Sequence, residues 1–258
     1  MLASERHNLI LSRLRAASAV TVTELTALLQ VSVETLRRDL LHLERLGHLQ
    51  RVYGGAILPG EMKAYPDLSR RMEDNRKAKE QLSRTAAALV RDDDVLYIDS
   101  GSTAASFALV LKEQFSRLTV ITHSMDVFEV LRNCAGFRLF LCGGMYLPEE
   151  NAFHGQLALD TMQRLHADKT FLFPSAISLH NGVCDFSHDL LPIQQQMIAG
   201  CNRLYVLADS SKFEKNALLK ICDTTAHCTF VTDSGLAPGI RHLYAEHNLT
   251  VLTGQEEE

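Results

Sequence analysis

The spacing of apolar residues changes character near residue 60. Before that point they recur every three or four positions, the period of amphipathic helices. From Glu5 to Ala17, the apolar members Leu9, Ile10, Leu14 and Ala17 gather on one side. TVTE then offers Thr21 as an N-cap with Glu24 three residues later, the reciprocal pattern of a capping box. A short helix follows, with Leu25, Leu28 and Leu29 on one face, and it stops at Gln30-Val31. Ser32 is a second N-cap. The third helix is predicted to bury Val33, Leu36, Leu40 and Leu43, with Leu46 at the end of the same face, and to stop at Gly47 as a C-cap. LQRVY then alternates as a strand, Gly54-Gly55 permits a tight turn, and AIL returns.

Beyond this the pattern changes twice. GEMKAYPDLSRRMED, residues 60–74, is polar and contains proline, and reads as a linker. A helix from about Arg76 to Val90 carries Leu82, Ala86 and Leu89 on its apolar face. After it, short apolar runs rich in β-formers alternate with helical patterns. The runs are VLYID, LTVIT, FRLFL, KTFLF, RLYVLA, CTFVT and LTVL. Continuous apolar strands separated by helices predict a largely parallel sheet covered on both faces. The expected organisation is an N-terminal helical domain with a β-wing over residues 1–59, a linker over 60–75 and an α/β domain over 76–254.

Composition narrows the class. The chain of 258 residues is 46% hydrophobic and 22% charged, as in ordinary soluble proteins. No apolar run reaches the roughly 20 residues that span a bilayer, and MLASERHNLI lacks the apolar core of a signal peptide. A cytoplasmic protein with no membrane partner is expected. The six cysteines form no CxxC pair, and Cys222 and Cys228 lack zinc-site spacing, so no metal and no cofactor are expected. The net charge of −5 argues against a general polyanion binder. It is uneven, however. Residues 1–60 hold seven arginines against five acidic residues, which leaves −7 on the remainder. A locally basic segment on an acidic body suits a protein that meets nucleic acid with one face.

The third helix shows how. Its non-core face displays Glu34, Thr35, Arg37, Arg38 and His42. Short polar groups near the N-terminus can approach base edges, while arginine reaches guanine or a phosphate. Arg51 and Tyr53 on the strand after it are placed to touch the DNA backbone or minor groove, and Gly54 and Gly55 form the wing tip. A solvated charged face would explain RRDL alone. It does not explain three short helices, two caps, an arginine pair and a Gly-Gly hairpin in one order.

The run from SERHNLILSRL through VTVTELTALLQVSVETLRRDLLHLERLGHLQRVYGGA resembles the winged helix-turn-helix of DeoR-type bacterial transcriptional regulators. The resemblance implies a helix-turn-helix from about Val20 to Asp39, with Ser32, Thr35, Arg37 and Arg38 at recognition positions. It implies double-stranded operator DNA as partner.

Candidate chemistry in the second domain lies at the strand ends. VLYID runs into SGST, LTVIT into HS, FRLFL into CGG, KTFLF into PSAIS and RLYVLA into DSSK. Open α/β sheets bind ligands just outside these carboxyl ends. DSGSTAASFALVL is the strongest of them. Gly101 permits the turn, Ser102 or Thr103 caps the helix, and its first N–H groups suit a phosphate. Such a turn often joins a strand to a helix with no ligand, but repetition at five edges favours a small-anion pocket.

Residues 65–252 are similar to the sensor domain of the same family, through DSGST, THS, CGG, NAFHG and DSSKF. That similarity implies a fold related to ribose-5-phosphate isomerases and a phosphorylated sugar as effector. Carried over by position, Asp99, Gly101, Ser102, Thr103, Thr122, Ser124, Gly143, Gly144 and Lys212 would line the pocket. The chain departs from the family at His123, usually Asn, and at PSAIS, where a glycine-containing turn is usual. It departs again at Leu190 and Gln194, where a Glu and a Lys are common. Losing both charges predicts a ligand less polar away from its phosphate.

The expected function is sequence-specific transcriptional regulation, as a repressor of a sugar or nucleoside catabolic operon. One winged helix has a small footprint, so a homo-oligomer held through the second domain is expected. The competing readings are a sugar-phosphate isomerase or hydrolase with an accessory DNA-binding domain, for which Asp99, Asp185, Asp209 and Lys212 are available, and a DNA-binding scaffold with an inactive pocket. No spacing assigns those acids catalytic roles.

Overall fold

The computed structural model of the chain describes residues 3–17, 19–52, 55–57 and 67–254. The first elements are α1 (Ala3–Ala17), β1 (Ala19–Thr21), α2 (Val22–Leu29), α3 (Val33–Arg45), β2 (Gln50–Val52) and β3 (Gly55–Ile57). Thr21 both ends β1 and starts α2. Its hydroxyl accepts from the Glu24 N–H while the Glu24 carboxylate accepts from the Thr21 N–H, so the expected capping box is present. Ser32 caps α3 as expected. At the other end Gly47 takes φ +73°, with Gly47 N–H donating to Glu44 and His48 N–H to Leu43. These two bonds define a Schellman stop, which needs a residue tolerant of the left-handed region.

Ile10, Leu14, Val20, Leu25, Leu29, Leu36, Leu40, Leu43, Leu49 and Ala56 form the core of this unit. Val33 is not among them; it is 46% exposed, and Val31 from the preceding turn packs on the core in its place. Leu46 is 55% exposed because the chain reverses beside it, and Leu49 enters the core instead. Leu28 also faces outward. The wing is a three-stranded antiparallel sheet in the order β1-β3-β2, one strand more than the expected hairpin. Gly55 is fixed by that extra strand, since a Cβ there would stand 2.1 Å from the Val20 carbonyl oxygen.

An unanticipated ion pair ties α1 to α3. Asp39 is buried, accepts from Arg6 Nε at 2.7 Å and Nη2 at 3.0 Å, and lies 3.0 Å from His7 Nε2. The His7 ring stacks on His42, with 5.1 Å between centroids.

The second unit opens with α4 (Leu68–Glu73) and α5 (Arg76–Ala87). Thus the polar stretch read as a linker ends in a helix. Next come β4 (Val95–Ile98), α6 (Ser102–Gln114), β5 (Leu118–Thr122), α7 (Met125–Leu131) and β6 (Phe137–Leu141). A hairpin of β7 (Met145–Leu147) and β8 (Ala152–His154) leads to α8 (Gln156–Met162) and β9 (Ala167–Leu172). Then β10 (Ala176–Ser178), β11 (Gly182–Asp185), α9 (Leu191–Ala199), β12 (Cys201–Leu207) and β13 (Leu219–Cys222) follow. The chain closes with β14 (Cys228–Thr232), α10 (Pro238–Glu246) and β15 (Thr250–Thr253).

The seven apolar runs read from the sequence are the seven strands of one sheet, parallel throughout, in the order β15-β14-β12-β9-β4-β5-β6. Successive residues serve opposite faces. Leu96 and Ile98 of β4 pack with Leu82, Phe107 and Val127 of α5, α6 and α7. Tyr97 between them packs with Met162, Ile193 and Met197 of α8 and α9. Each fully buried side chain of this size contributes roughly 1.5–3 kcal/mol. The antiparallel strands β10, β11 and β13, and the β7–β8 hairpin, carry no long apolar run and were not expected.

The Asp39 contact makes a prediction. Burial raises the Asp39 pKa, but the bonds from Arg6 and His7 outweigh it and hold the carboxyl below its ordinary range. A lowered folded pKa contributes stability that is complete above the unfolded value, about 3.9, and is lost as pH falls through the folded value. Asp39→Asn should therefore lower the melting temperature at neutral pH and flatten its fall below about pH 4. Equal acid slopes in variant and wild type, followed by circular dichroism, would remove Asp39 from the acid response.

Candidate functional site

The outer face of α3 carries Ser32, Glu34, Arg37 and Arg38 exposed and Thr35 half-buried. Ser32 Oγ accepts from the Thr35 N–H at 3.2 Å and lies 2.9 Å from Thr35 Oγ1, which fixes both hydroxyls at the helix start. Arg38 meets Glu34 at 3.5 Å across one turn, an exposed pair worth little in water and easily exchanged for a phosphate. Arg37 makes no ion pair among the described residues. Val33 joins this face, and its methyls suit contact with a thymine methyl. His42 is exposed but is partly engaged by its stack on His7.

The wing is attached through Arg51. Its backbone N–H donates to Glu44 Oε1 at 2.8 Å and its Nε to Oε2 at 2.7 Å. Arg51 therefore joins β2 to the last turns of α3. Tyr53 and Gly54 lie outside the described residues, and Gly55 shapes the strand pairing.

The second site follows from sheet order. From β4 the chain moves outward through β5 to β6, then returns beside β4 with β9 and moves the other way through β12, β14 and β15. Crevices in open α/β sheets form where the direction reverses, here between β4 and β9. A cavity of about 340 Å³ opens at the carboxyl ends of these strands. Gly101, Ser102 and Thr103 after β4, Phe173 to Ser175 after β9, and Asp209, Ser211 and Lys212 after β12 line it. Arg70, Arg71, Asp74, Asn75 and Lys79 supply the remaining wall.

Gly101 is the N-cap of α6 at φ +107°, a conformation that favours glycine, and no side chain caps the helix. Neither Ser102 nor Thr103 caps it, contrary to expectation, because both already lie within the helix. The first-turn N–H groups of α6 therefore face the cavity without a protein cap, which is an anion site in form. Lys212, the last residue of the turn capped by Asp209, lines the same cavity.

Of the nine residues carried over from the family, four line the cavity: Gly101, Ser102, Thr103 and Lys212. The other five do not. Asp99 is buried, accepting from Gln194 Nε2 at 3.1 Å and lying 2.9 Å from His123 Nε2. The other His123 nitrogen meets the Phe153 carbonyl at 2.9 Å, and a carbonyl only accepts, so Nδ1 carries a proton. Thr122 Oγ1 accepts from the Ser124 N–H, and Ser124 caps α7. Gly144 lies where a Cβ would meet the His154 carbonyl oxygen at 2.4 Å, and Gly143 is exposed beside it; both belong to the β7–β8 approach.

Gln194 Nε2 also donates to Asp185 Oδ2 at 2.9 Å, and Ser175 Oγ donates to Asp185 Oδ1 at 2.5 Å. Burial pushes the Asp185 carboxyl up despite these bonds. Leu190 and Gln194 do not line the cavity, so their neutrality does not by itself make the ligand less polar. The residues missed from sequence on this wall are Arg70, Arg71, Asp74, Asn75 and Lys79. Their one signal was SRRMEDNRKAKE, a charge-rich stretch with no apolar period.

Residues 6–61 match the DeoR-like helix-turn-helix domain and residues 74–234 the DeoR C terminal sensor domain. The chain is 32% identical over 238 residues to the uncharacterized HTH-type transcriptional regulator YulB of Bacillus subtilis (strain 168), with 92% of each chain covered. It is 30% identical over 248 residues to an L-fucose operon activator of Haemophilus influenzae, covering 96% of this chain and 99% of that one. It is 30% identical over 231 residues to a lactose phosphotransferase system repressor of Lactococcus lactis, covering 89% and 90%. Among solved structures, a ribose 5-phosphate isomerase from Methanocaldococcus jannaschii overlaps at TM-score 0.40 and 18% identity, covering 54% of this chain and 55% of that one. That overlap is too loose to bear on chemistry.

The exposed arginines generate a direct test. Arg37→Ala with Arg38→Ala should abolish sequence-specific binding to duplex DNA while leaving the melting temperature unchanged, because neither side chain enters the core. Arg38→Ala alone should weaken binding evenly across sequences and reduce the salt slope by about one unit. Unchanged affinity of the double variant in a gel-shift titration would remove α3 from the interface.

Proposed function

The chain belongs to the DeoR family of transcriptional regulators, and on that premise we propose that it represses a sugar or nucleoside catabolic operon and is released by a phosphorylated sugar. Residues Ser32, Glu34, Thr35, Arg37 and Arg38 meet the operator, with Arg51, Tyr53, Gly54 and Gly55 in the wing beside them. The fucose operon activator and the lactose system repressor act in opposite directions by name, and we carry the repressor's direction to this chain.

The observation that carries the effector reading is the uncapped N-terminus of α6 opening into a cavity that Lys212 also lines. A phosphate there accepts from backbone N–H groups and sits at the positive end of the helix dipole. The sugar then extends toward Phe173–Ser175, beneath which lies the layer of Asp99, His123, Asp185 and Gln194.

This arrangement favours binding over turnover. Isomerisation needs a carboxylate base held at the sugar carbons. Asp99 is committed to His123 and Gln194, Asp185 to Ser175 and Gln194, and Asp209 to Ser211 and Asn75. We therefore read the pocket as a sensor and the protein as a cytoplasmic regulator. No helix among the described residues is long and apolar enough to cross a membrane.

We place its working form as a homo-oligomer, since one winged helix covers little DNA. The edge strand β6 and the segment after it expose Phe140, Met145, Tyr146 and Leu157, with Met145 at 66% and Leu157 at 71% exposure. Large apolar groups concentrated on one short segment suit burial against a second copy.

Two tests follow. Thr103→Asp should leave operator binding intact but require at least about tenfold more sugar phosphate for release, because a carboxylate at the start of α6 repels the incoming dianion. Retention of full response in a DNA-release titration would refute the phosphate site. Met145→Glu combined with Leu157→Glu should lower the mass seen by light scattering, and an unchanged mass would exclude this surface.

A further inference from the structure

Helix α4 lies between the two family matches, which end at residue 61 and resume at residue 74. It nevertheless builds part of the cavity. Arg70 and Arg71 on α4 account for two of the four cations that line it, with Lys79 and Lys212. Against these stand Asp74 and Asp209, so the lining carries an excess of positive charge.

Arg71 is the central group. It is only 8% exposed, although it is an arginine on a six-residue helix. Its Nη2 donates to both carboxylate oxygens of Glu150 at 2.8 Å. Its Nη1 lies at the Gly101 turn, 3.8 Å from where a Cβ would stand. One end of the guanidinium is therefore held by the segment before β8, and the other faces the start of α6.

The rest of α4 is fixed by the same pocket wall. Lys79 is buried, and its Nζ donates to the carbonyl oxygens of Arg71 and Asp74 at the end of α4. Asn75, at φ +54°, donates from Nδ2 to Asp209 Oδ1 at 3.2 Å. Burial lowers the Lys79 pKa, and the charges of Lys212 and Arg71 push it the same way, opposed by Asp209 and Asp74. Cations and carboxylates alternate around this wall, with two more cations than acids among the lining residues.

We propose that Arg71 is a direct ligand of the anion in this pocket, and that occupancy of the pocket fastens α4 to the start of α6. The inference rests on the phosphate reading above. With the anion in place, Arg71 bridges Glu150 and the ligand, as a planar fork of five donors allows. That adds a contact between α4 and the α6 N-terminus, and α4 is the first described element after β3. A phosphate cradle at the start of α6 accounts for Gly101 to Thr103; it does not account for a buried arginine on α4.

The test uses the full chain and inorganic phosphate as the probe. Calorimetric titration compares wild type, Lys212→Ala, and the double variant Arg71→Gln with Glu150→Gln. The double variant avoids stranding a buried carboxylate without its partner. Arg71→Lys serves as a second variant, keeping the charge but losing the fork. Hydrogen exchange of the amides over residues 68–74 is followed with and without phosphate. Phosphate should bind wild type saturably and slow exchange in α4. Both Arg71 variants should bind at least about tenfold more weakly and lose the slowing. If wild type does not bind phosphate, the pocket reading falls and this inference with it. If Lys212→Ala weakens binding but both Arg71 variants match wild type, the pocket stands and the role of Arg71 is overturned. Binding that leaves α4 exchange unchanged overturns the fastening of α4.

Discussion

Parallel strands cannot be joined by tight hairpins, so every connection in the seven-stranded sheet must cross over one of its faces. That constraint organises the second unit. It places helices on both faces and produces the two apolar clusters that Leu96, Tyr97 and Ile98 serve alternately. It also aligns the carboxyl ends of all seven strands at one rim. Because β4 is the strand from which the chain leaves in one direction and to which it returns from the other, the rim opens beside it. The start of α6 faces that opening because α6 is the crossover that leaves β4.

The DNA face obeys a different constraint. α3 must bury Leu36, Leu40 and Leu43 while keeping Arg37 and Arg38 in solvent, and a 3.6-residue period does both. Asp39 breaks the simple division. It sits among core positions as a carboxylate and is tolerated because Arg6 and His7 come to it from α1. The ion pair thus fixes the helix that displays the arginines, without itself touching their face. Glu44 acts similarly on the wing by holding Arg51 through both backbone and side chain.

Buried charge recurs in the second unit, again at joints between elements. Arg71 with Glu150 links α4 to the turn before β8, and Gln194 joins Asp99 to Asp185 beneath the cavity. Removing one partner of such a pair leaves an unpaired buried group, which costs far more than the pair contributes. Burial pushes the Glu150 carboxyl up while Arg71 draws it down, and burial prevails. Asp99, which positional similarity places on the pocket wall, instead belongs to the layer that supports it.

Local physics was readable in the sequence. Helix period, the caps at Thr21 and Ser32, the stop at Gly47 and the seven apolar strands follow from contacts within a few residues, and each stands in the structure. So do the exposed arginines of α3 and the turn at Gly101, but not the cap expected of Ser102 or Thr103. What depended on partners distant in the chain was not readable. Val33 and Leu46 have the right period for the core, but Val31 and Leu49 fill those places once the turns are set. The third wing strand exists only because β1 pairs with β3 across more than thirty residues. Arg71 and Lys79 look like solvated charge in SRRMEDNRKAKE, and only packing against Glu150, Gly101 and the end of α4 makes them part of a cavity. A side chain's period is written in its neighbours along the chain; its electrostatic partner is decided by the fold.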